Sequence, residues 1–293
     1  MTLAALFMVL LAAFLHASWN LLAKRASGGA LFVWWCAALA SLLYAPVAAA
    51  VLLIGRPHLG PIQLAFMAGS ALLHLTYFTL LQAGYRFGDL SLVYPLARGT
   101  GPMLATVLAI VLLGERPGPV ALAGLALVVV SVFLLTGRPV RARGDFARSA
   151  IAFGLATGGL IAIYTLWDAH AVGALGIPPV LQDWGANAGR ALALTPYALR
   201  RRGEVAAIWR KHGRKAIGVA VLSPLAYILI LTALSFTAVS RVAPAREVSI
   251  LIAAVMGALL LSEPQPRRRL VAAAGMVLGL SLIHISEPTR QAE

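Results

Sequence analysis

The feature that most constrains this chain is a series of long apolar runs that follow one another almost from end to end. About 20 mostly apolar helical residues are enough to cross the hydrocarbon core of a bilayer. Glycine, proline and arginine separate the runs, as in Arg116-Pro117-Gly118-Pro119, and such breaks indicate turns. The expected helices cover residues 3–23, 30–54, 61–83, 91–113, 118–136, 149–168, 179–199, 215–237, 243–262 and 269 onward.

Composition supports a membrane protein and argues against a soluble one. Hydrophobic residues make up 60% of the 293 positions and charged residues only 12%, whereas a soluble domain carries roughly 25% charged residues. Backbone groups in hydrocarbon must be hydrogen-bonded within the segment, and the short alternating pattern of a membrane β-barrel is missing. The predicted class is therefore an all-α polytopic membrane protein with ten transmembrane helices.

The net charge of +14 comes from short basic clusters between the apolar runs. A nucleic-acid partner is not expected, because no basic domain or stripe is present. Odd-numbered connections hold 17 Lys and Arg residues and even-numbered ones hold three, namely Arg56, Arg116 and Arg241. Basic residues accumulate in cytoplasmic loops, so this bias predicts that the odd connections are cytoplasmic and the N-terminus is outside. The odd set is Lys24, Arg25, Arg86, Arg138, Arg141, Arg143, Arg148, Arg200, Arg201, Arg202, Arg210, Lys211, Arg214, Lys215, Arg267, Arg268 and Arg269.

Similar short segments recur at one fixed offset, which indicates two halves. With five expected helices in each half, the second half must enter the membrane from the opposite side, as in the inverted repeats of many secondary transporters. The predicted units are residues 1–137 and 149–279, joined by a cytoplasmic linker at 138–148. The matching positions, each 148 residues apart, are Trp19 and Trp167, Arg98 and Arg246, and Glu115 and Glu263.

The last 14 residues, 280–293, resemble the conceptual translation of a transposase adapter used in sequencing libraries. This segment is therefore expected to be non-native. In that case the tenth helix is truncated after about Gly279.

Arg98 and Arg246 are two of three arginines inside apolar runs. An ionisable group at membrane depth costs at least ~2.5–3.5 kcal/mol on insertion scales, so it faces protein or water. Each arginine follows a proline, Pro95 or Pro244, which removes a backbone donor and can open a helix. We expect the pair to line a cavity and bind an anionic group such as a carboxylate. The alternative is that each snorkels to the interface or pairs with a local acid such as Glu247.

The expected seventh helix carries a polar face. Asp183, Asn187 and Arg190 are spaced by four and three residues, so they lie on one side of the helix. A cavity wall and a structural network that seals two helices both remain open.

Proton coupling has four candidates. Asp168 would accept the coupling proton once burial favours its neutral form; alternatively it is a helix-end residue at the interface. His16 and His74, inside helices one and three, would relay a proton near neutral pH, or else serve as hydrogen-bonded packing residues. Glu247 is the fourth. Three aromatic residues are expected to line a pocket or belong to the core and interfacial belt, namely Trp19, Tyr94 and Trp167.

Several stretches together resemble the EamA-type family of the drug/metabolite transporter superfamily, over about residues 1–279. This resemblance implies ten helices, a central cavity and proton- or gradient-coupled movement of small metabolites, often outward. Many members have the N-terminus inside, whereas the charge bias here predicts it outside, and the superfamily contains both orientations. The stretches are His16-Ala-Ser-Trp-Asn20, Asp89-Leu-Ser-Leu-Val-Tyr-Pro-Leu-Ala-Arg-Gly99, Leu112-Leu-Gly-Glu-Arg116, Ala245-Arg-Glu-Val-Ser249 and Leu260-Leu-Ser-Glu263.

The predicted function is secondary transport of a small metabolite or drug-like solute, amino-acid-like or otherwise anionic. Export by alternating access across a bacterial inner membrane is expected. No glycine-rich phosphate loop is present, so neither ATP nor another cofactor is expected, and no metal site is predicted. A lipid-carrier flippase is the alternative, and an intramembrane enzyme is disfavoured because His-Glu-x-x-His and Gly-x-Ser-x-Gly motifs are missing. The partners are the solute and the bilayer, with a second copy of the chain as a candidate.

Overall fold

A computed structural model describes residues 1–24, 26, 29–87, 90–136, 145–261 and 267–285. All regular structure in these ranges is helical, as the apolar runs predict, and most helix ends agree with the expected ones to within four residues. The helices are α1 Leu3–Lys24, α2 Gly29–Gly55, α3 Pro61–Phe87, α4 Leu90–Leu113, α5 Pro119–Thr136, α6 Asp145–Gly173, α7 Pro179–Arg200, α8 Arg202–Leu234, α9 Val239–Ala245, α10 Val248–Leu261 and α11 Arg267–Ile285.

Six of the described helices are long and apolar enough to cross a membrane by themselves. The remaining spans that the sequence predicts correspond to less regular elements. α5 and α11 are shorter apolar helices, α7 carries the polar face, and α9 and α10 are two short helices in series. The six are Leu3–Ala23, Gly29–Gly55, Pro61–Leu81, Leu96–Leu113, Ile151–Gly173 and Arg202–Leu234.

Two expected helices differ most from those observed. α8 begins at Arg202 and not at 215, because no proline interrupts this segment and its Ala206-Ala207-Ile208 favours a helix. The expected helix 243–262 is split at Arg246 and Glu247. Pro244 cannot donate to the carbonyl four residues back, and Glu247 and Ser249 instead donate to carbonyls three residues back, at 3.1 Å each. In contrast, α4 continues through Pro95, so the opening expected there is not formed.

Helices from one half pack mainly against helices from the other. α1 packs on α8 and α3 on α6; α4 packs on α6 and α1 on α10; α3 packs on α7 and α2 on α8. Three further contacts join α2 to α7, α4 to α9 and α5 to α11. Each contact has a counterpart when α1–α3 are exchanged with α6–α8, α4 with α9 and α10, and α5 with α11.

In the last contact, the backbones of α5 and α11 approach each other closely. A Cβ at Gly124 of α5 would lie 2.6 Å from the carbonyl oxygen of Gly279, so only glycine lets these backbones meet. α11 continues past the expected boundary, and the buried Ile283 packs near Gly124. Any apolar segment of this length would continue the helix, so the non-native origin of residues 280–293 stays a prediction.

Candidate functional site

Asp168 lies at the centre of the bundle, where it is completely buried. The expectation of a helix end was wrong, because α6 continues five residues further, to Gly173. Its Oδ1 accepts a hydrogen bond from Gln182 Nε2 at 2.9 Å, and its Oδ2 accepts one from the Tyr227 hydroxyl at 2.5 Å. One carboxylate thereby joins α6, α7 and α8.

His74 of α3 completes this arrangement. Its Nε2 lies 3.7 Å from Asp168 Oδ2, and its ring packs against Tyr164 with centroids 4.4 Å apart. The buried Nδ1 has no hydrogen-bond partner among the described residues. An imidazole that touches a buried carboxylate on one side and keeps a free nitrogen on the other is suited to pass a proton.

Arg246 lies at the break between α9 and α10, only partly buried. Its guanidinium carbon is 5.6 Å from the centre of the Tyr227 ring, which is within range of a cation–π interaction. Within the described part of the chain, the side chain forms no ion pair or hydrogen bond. Asp168, His74, Tyr227, Gln182 and Arg246 are referred to below as the polar centre.

Arg98 occupies the matching position in the first half but has different surroundings. Its Nε lies 3.0 Å from Glu247 Oε2, and its NH2 group donates to Ser249 Oγ at 3.1 Å. All three residues are buried. The sequence left cavity lining and pairing with Glu247 both open for Arg98, and the geometry is that of the ion pair.

The polar face of α7 forms the network that its spacing predicts. Asn187 Nδ2 donates to Asp183 Oδ2 at 3.0 Å, and Arg190 NH2 donates to Asn187 Oδ1 at 2.7 Å. Asp183 and Asn187 are buried, and it is the neighbouring Gln182 of the same helix that bonds to Asp168. The members of the polar face are largely satisfied by one another, and their role as a cavity wall stays a prediction.

The aromatic candidates were expected to line a pocket or to belong to the core, and Trp167 has the surroundings of a core residue. Trp167 stacks on Phe66 with centroids 4.1 Å apart and donates from Nε1 to the Phe66 carbonyl at 2.8 Å. A Cβ at Gly69 would lie 2.4 Å from the Trp167 ring, so this contact requires glycine. Trp167 therefore joins α6 to α3 as a packing residue.

Two of the remaining candidates, Trp19 and His16, lie on α1. Trp19 contacts His16 edge-on, with centroids 4.8 Å apart. Both Arg98 and Arg246 are close enough to act electrostatically on His16. The side chain of Tyr94 lies outside the described residues.

Gln182 is the residue that sequence reasoning missed. Completely buried, it donates to Asp168. A polar side chain at membrane depth could have indicated a functional residue from the sequence. Gln182 was not considered because it lies on another face of α7 than Asp183, Asn187 and Arg190. Among the residues described, no group of three His, Cys, Asp or Glu side chains could hold a metal ion.

The N-terminal face of the bundle, which includes Met1 and the connections 114–118 and 235–238, is closed. A buried apolar cluster fills it with residues from α1, α4, α6, α8 and α9, so both halves contribute. Glu115 crosses between the halves. Its carboxylate accepts the backbone N–H groups of Val239 at 2.7 Å and Ser240 at 2.9 Å, at the start of α9. This interaction, the Glu115 cap, satisfies donors that a helix start leaves unpaired.

Comparison with known proteins agrees with this architecture. Residues 3–137 match the model of the EamA-like transporter family. No curated protein matches the chain. A solved structure described as a crystal structure of a protein is similar over 97% of this chain and 99% of its own, with 14% identity and a TM-score of 0.76. At that identity the similarity shows the fold alone.

Proposed function

We propose that this chain, which belongs to the EamA-like transporter family through residues 3–137, is a secondary transporter that moves a small anionic solute by alternating access. The family consists of membrane transporters, which supports a transport function rather than an enzymatic one for this chain. The solute, the driving ion and the direction are the parts that we propose.

The proposed architecture is two inverted five-helix repeats. The 148-residue offset in sequence supports it, as do the reciprocal contacts between α1–α3 and α6–α8. The same reciprocity holds where α4 packs on α6 and α1 packs on α10. Two halves that exchange equivalent contacts can rock about a central site, which is the motion that alternating access needs.

One observation supports an anionic solute. The guanidinium of Arg246 in the polar centre has no ion pair or hydrogen bond within the described part of the chain. A charge at this depth is costly unless something compensates it. Asp168 is already bonded to Gln182 and Tyr227, and Glu247 is paired with Arg98. Arg246 therefore keeps donors for a group of opposite charge, and a planar guanidinium binds carboxylates and phosphates in a bidentate manner.

Asp168 is the proposed site of the coupling proton. Its hydrogen-bond partners Gln182 and Tyr227 are neutral, and among the described residues no lysine or arginine pairs with it directly. His74 contacts it and provides a route for the proton, while His16 and Glu247 lie next to the arginines as further candidates. Protonation of Asp168 would weaken its attraction for Arg246 and so favour solute binding at that arginine.

The proposed direction is export across a bacterial inner membrane, with the N-terminus outside. In that orientation the closed N-terminal face is the outer one. The cluster and the Glu115 cap must then separate for release. A second copy of the chain remains a candidate partner.

Metabolite profiling tests the proposal. Cells that express the wild-type chain should release a carboxylate- or phosphate-bearing solute that cells with Asp168→Asn at equal membrane level retain. Purified protein in vesicles should then accumulate that solute in response to a proton gradient, while Asp168→Asn should exchange solute without responding to the gradient. A released solute that is cationic, or equal release by both strains, would contradict the proposal.

Orientation is tested by reporter fusion at the α7–α8 junction. At Arg201, a reporter that is active only in the cytoplasm should give a signal. At Arg56, a reporter that is active only outside the cytoplasm should give a signal. The reverse result would overturn the orientation without affecting the architecture.

A further inference from the structure

A second feature lies away from the polar centre, on the surface where α2, α7 and α8 meet. A crevice of about 350 Å³ opens there. Its lining is mainly apolar and aromatic, and two arginines of α8 also belong to it. We call it the tryptophan crevice, defined by Trp34, Trp35, Ala198, Leu199, Arg202, Val205, Ala206, Trp209 and Arg210.

The sequence builds the crevice at a sharp reversal of the chain. α7 ends at Arg200 and α8 begins at Arg202, so the single residue Arg201 makes the turn, and Arg201 pairs with Glu204 at 3.2 Å. α8 has 33 residues, about 50 Å at 1.5 Å per residue, which is well beyond the length that a span needs. Its first turns therefore extend to the level of the lipid head groups.

Hydrogen bonds hold the aromatic walls in place. Trp35 Nε1 donates to the Val205 carbonyl at 3.1 Å, and Trp34 Nε1 donates to Thr195 Oγ1 at 3.0 Å. The rings of Trp35 and Trp209 pack with centroids 4.5 Å apart. Indole rings concentrate at the boundary between hydrocarbon and head groups, so the crevice has the chemistry of that boundary.

The charge around the crevice is strongly positive. Glu204 is the acid of this segment and is already paired with Arg201. Arg202 and Arg210 are exposed and have no ion pair within the described ranges. They are eight positions apart on α8, a rise of about 12 Å, so they mark two ends of one apolar opening. The other exposed bases nearby are Arg200, Lys211 and Arg214.

We propose that the tryptophan crevice binds one anionic phospholipid. An acyl chain lies along the exposed edges of the packed indole rings, and Arg202 and Arg210 reach the phosphate from the two ends of the opening. Basic pockets between membrane helices bind anionic lipid head groups in this way. The crevice is too apolar for a free anion to be its natural occupant, and its unpaired arginines distinguish it from a site for neutral lipid.

Native mass spectrometry of the full chain in detergent tests this assignment, with phosphatidylglycerol and phosphatidylcholine of identical acyl chains as probes. Wild type should retain phosphatidylglycerol several-fold better. Arg202→Gln with Arg210→Gln should abolish the preference. The control, Arg200→Gln with Arg214→Gln, removes the same charge from the same surface outside the crevice and should keep it. Ala206→Phe should reduce retention of both lipids by filling the crevice without a change in charge.

Four results would overturn the proposal. Equal retention of the two lipids by wild type would remove the head-group selectivity. Equal loss in both double variants would indicate a diffuse basic surface. Displacement of the lipid by inorganic phosphate would assign a phosphate site, and a dimer that Ala206→Phe dissociates would assign the crevice to a second copy. Unchanged thermal unfolding midpoints confirm that each variant is folded.

Discussion

Arg98 and Arg246 occupy equivalent positions in the two halves of the chain, yet their surroundings are opposite. Arg98 lies within the unbroken α4 and is paired with Glu247 at 3.0 Å. Arg246 lies at the break between α9 and α10 and faces the ring of Tyr227 at 5.6 Å. Two arginines at equivalent positions of a repeated sequence can therefore have different roles. One is part of a structural ion pair, and the other is available to a ligand.

The helix break produces both situations. It places Glu247 beside Arg98, and the partner of Arg98 therefore comes from the opposite half. Glu247, the acid next to Arg246 in sequence, is thereby paired with Arg98 instead of Arg246. A small difference in backbone is enough to separate the two roles, and the following changes probe that separation.

Arg98→Ala should have the largest effect, and it should act on folding. The substitution leaves Glu247 as a buried charge without its partner, and losses of this kind cost about 3–5 kcal/mol. We expect a large drop in membrane level and in the thermal unfolding midpoint of the purified protein. The double variant Arg98→Gln with Glu247→Gln should recover much of the loss, because neither charge then remains.

The matched change in the second half is the control for that prediction. Arg246→Ala removes the same side chain but no ion pair, so its unfolding midpoint should stay near that of wild type. If both single variants lost stability equally, the assigned difference between the two arginines would be wrong.

Transport should show the reverse order. Arg246→Ala removes the charge-assisted contact to the solute, which is worth about 1.5–3 kcal/mol, or roughly ten- to a hundredfold in apparent affinity. Uptake into vesicles should fall by that factor at normal protein level, and Arg246→Lys should restore part of it as a point charge without the bidentate geometry. Unchanged uptake by Arg246→Ala would remove this residue from the binding site.

The sequence predicted the helices well because apolar length and proline–glycine breaks are local properties. The sequence also identified Arg246, Asp168 and His74 as candidates, since burying an ionisable side chain at membrane depth costs free energy wherever it lies. It could not assign partners. Arg98 pairs with Glu247, 149 positions away, and Asp168 bonds to Tyr227. Both partners depend on which helices pack together. The end of α6 was misplaced for a related reason, because the burial of Asp168 comes from α7 and α8 and not from its own run.

Tyr227 connects the two arginine environments to Asp168, so Tyr227→Phe sharpens the comparison with a smaller effect. The ring that Arg246 faces is kept, and the hydrogen bond to Asp168 is lost. A hydrogen bond to a charged group contributes about 1.5–3 kcal/mol, part of which Gln182 retains at the other oxygen. Proton-driven uptake should fall several-fold while solute affinity stays near wild type. Tyr164→Phe is the control, and a loss of affinity equal to that of Arg246→Ala would contradict separate roles for proton and solute.

The smallest effect is expected at the Glu115 cap, which holds the start of the helix that leads to Arg246. Glu115→Gln removes a negative charge from two N–H donors at a helix start, a change of about 0.3–1 kcal/mol. This amount leaves the fold intact but shifts the balance toward an open N-terminal face. In a Cys36→Ser background, a cysteine in place of the buried Val242 should react faster with a membrane-impermeant maleimide once Glu115→Gln is added. Glu204→Gln, which weakens an exposed pair on another connection, should leave the rate unchanged. Equal rates with and without Glu115→Gln would show that apolar packing alone closes this face, and the break beside Arg246 would then have to move independently of the cap.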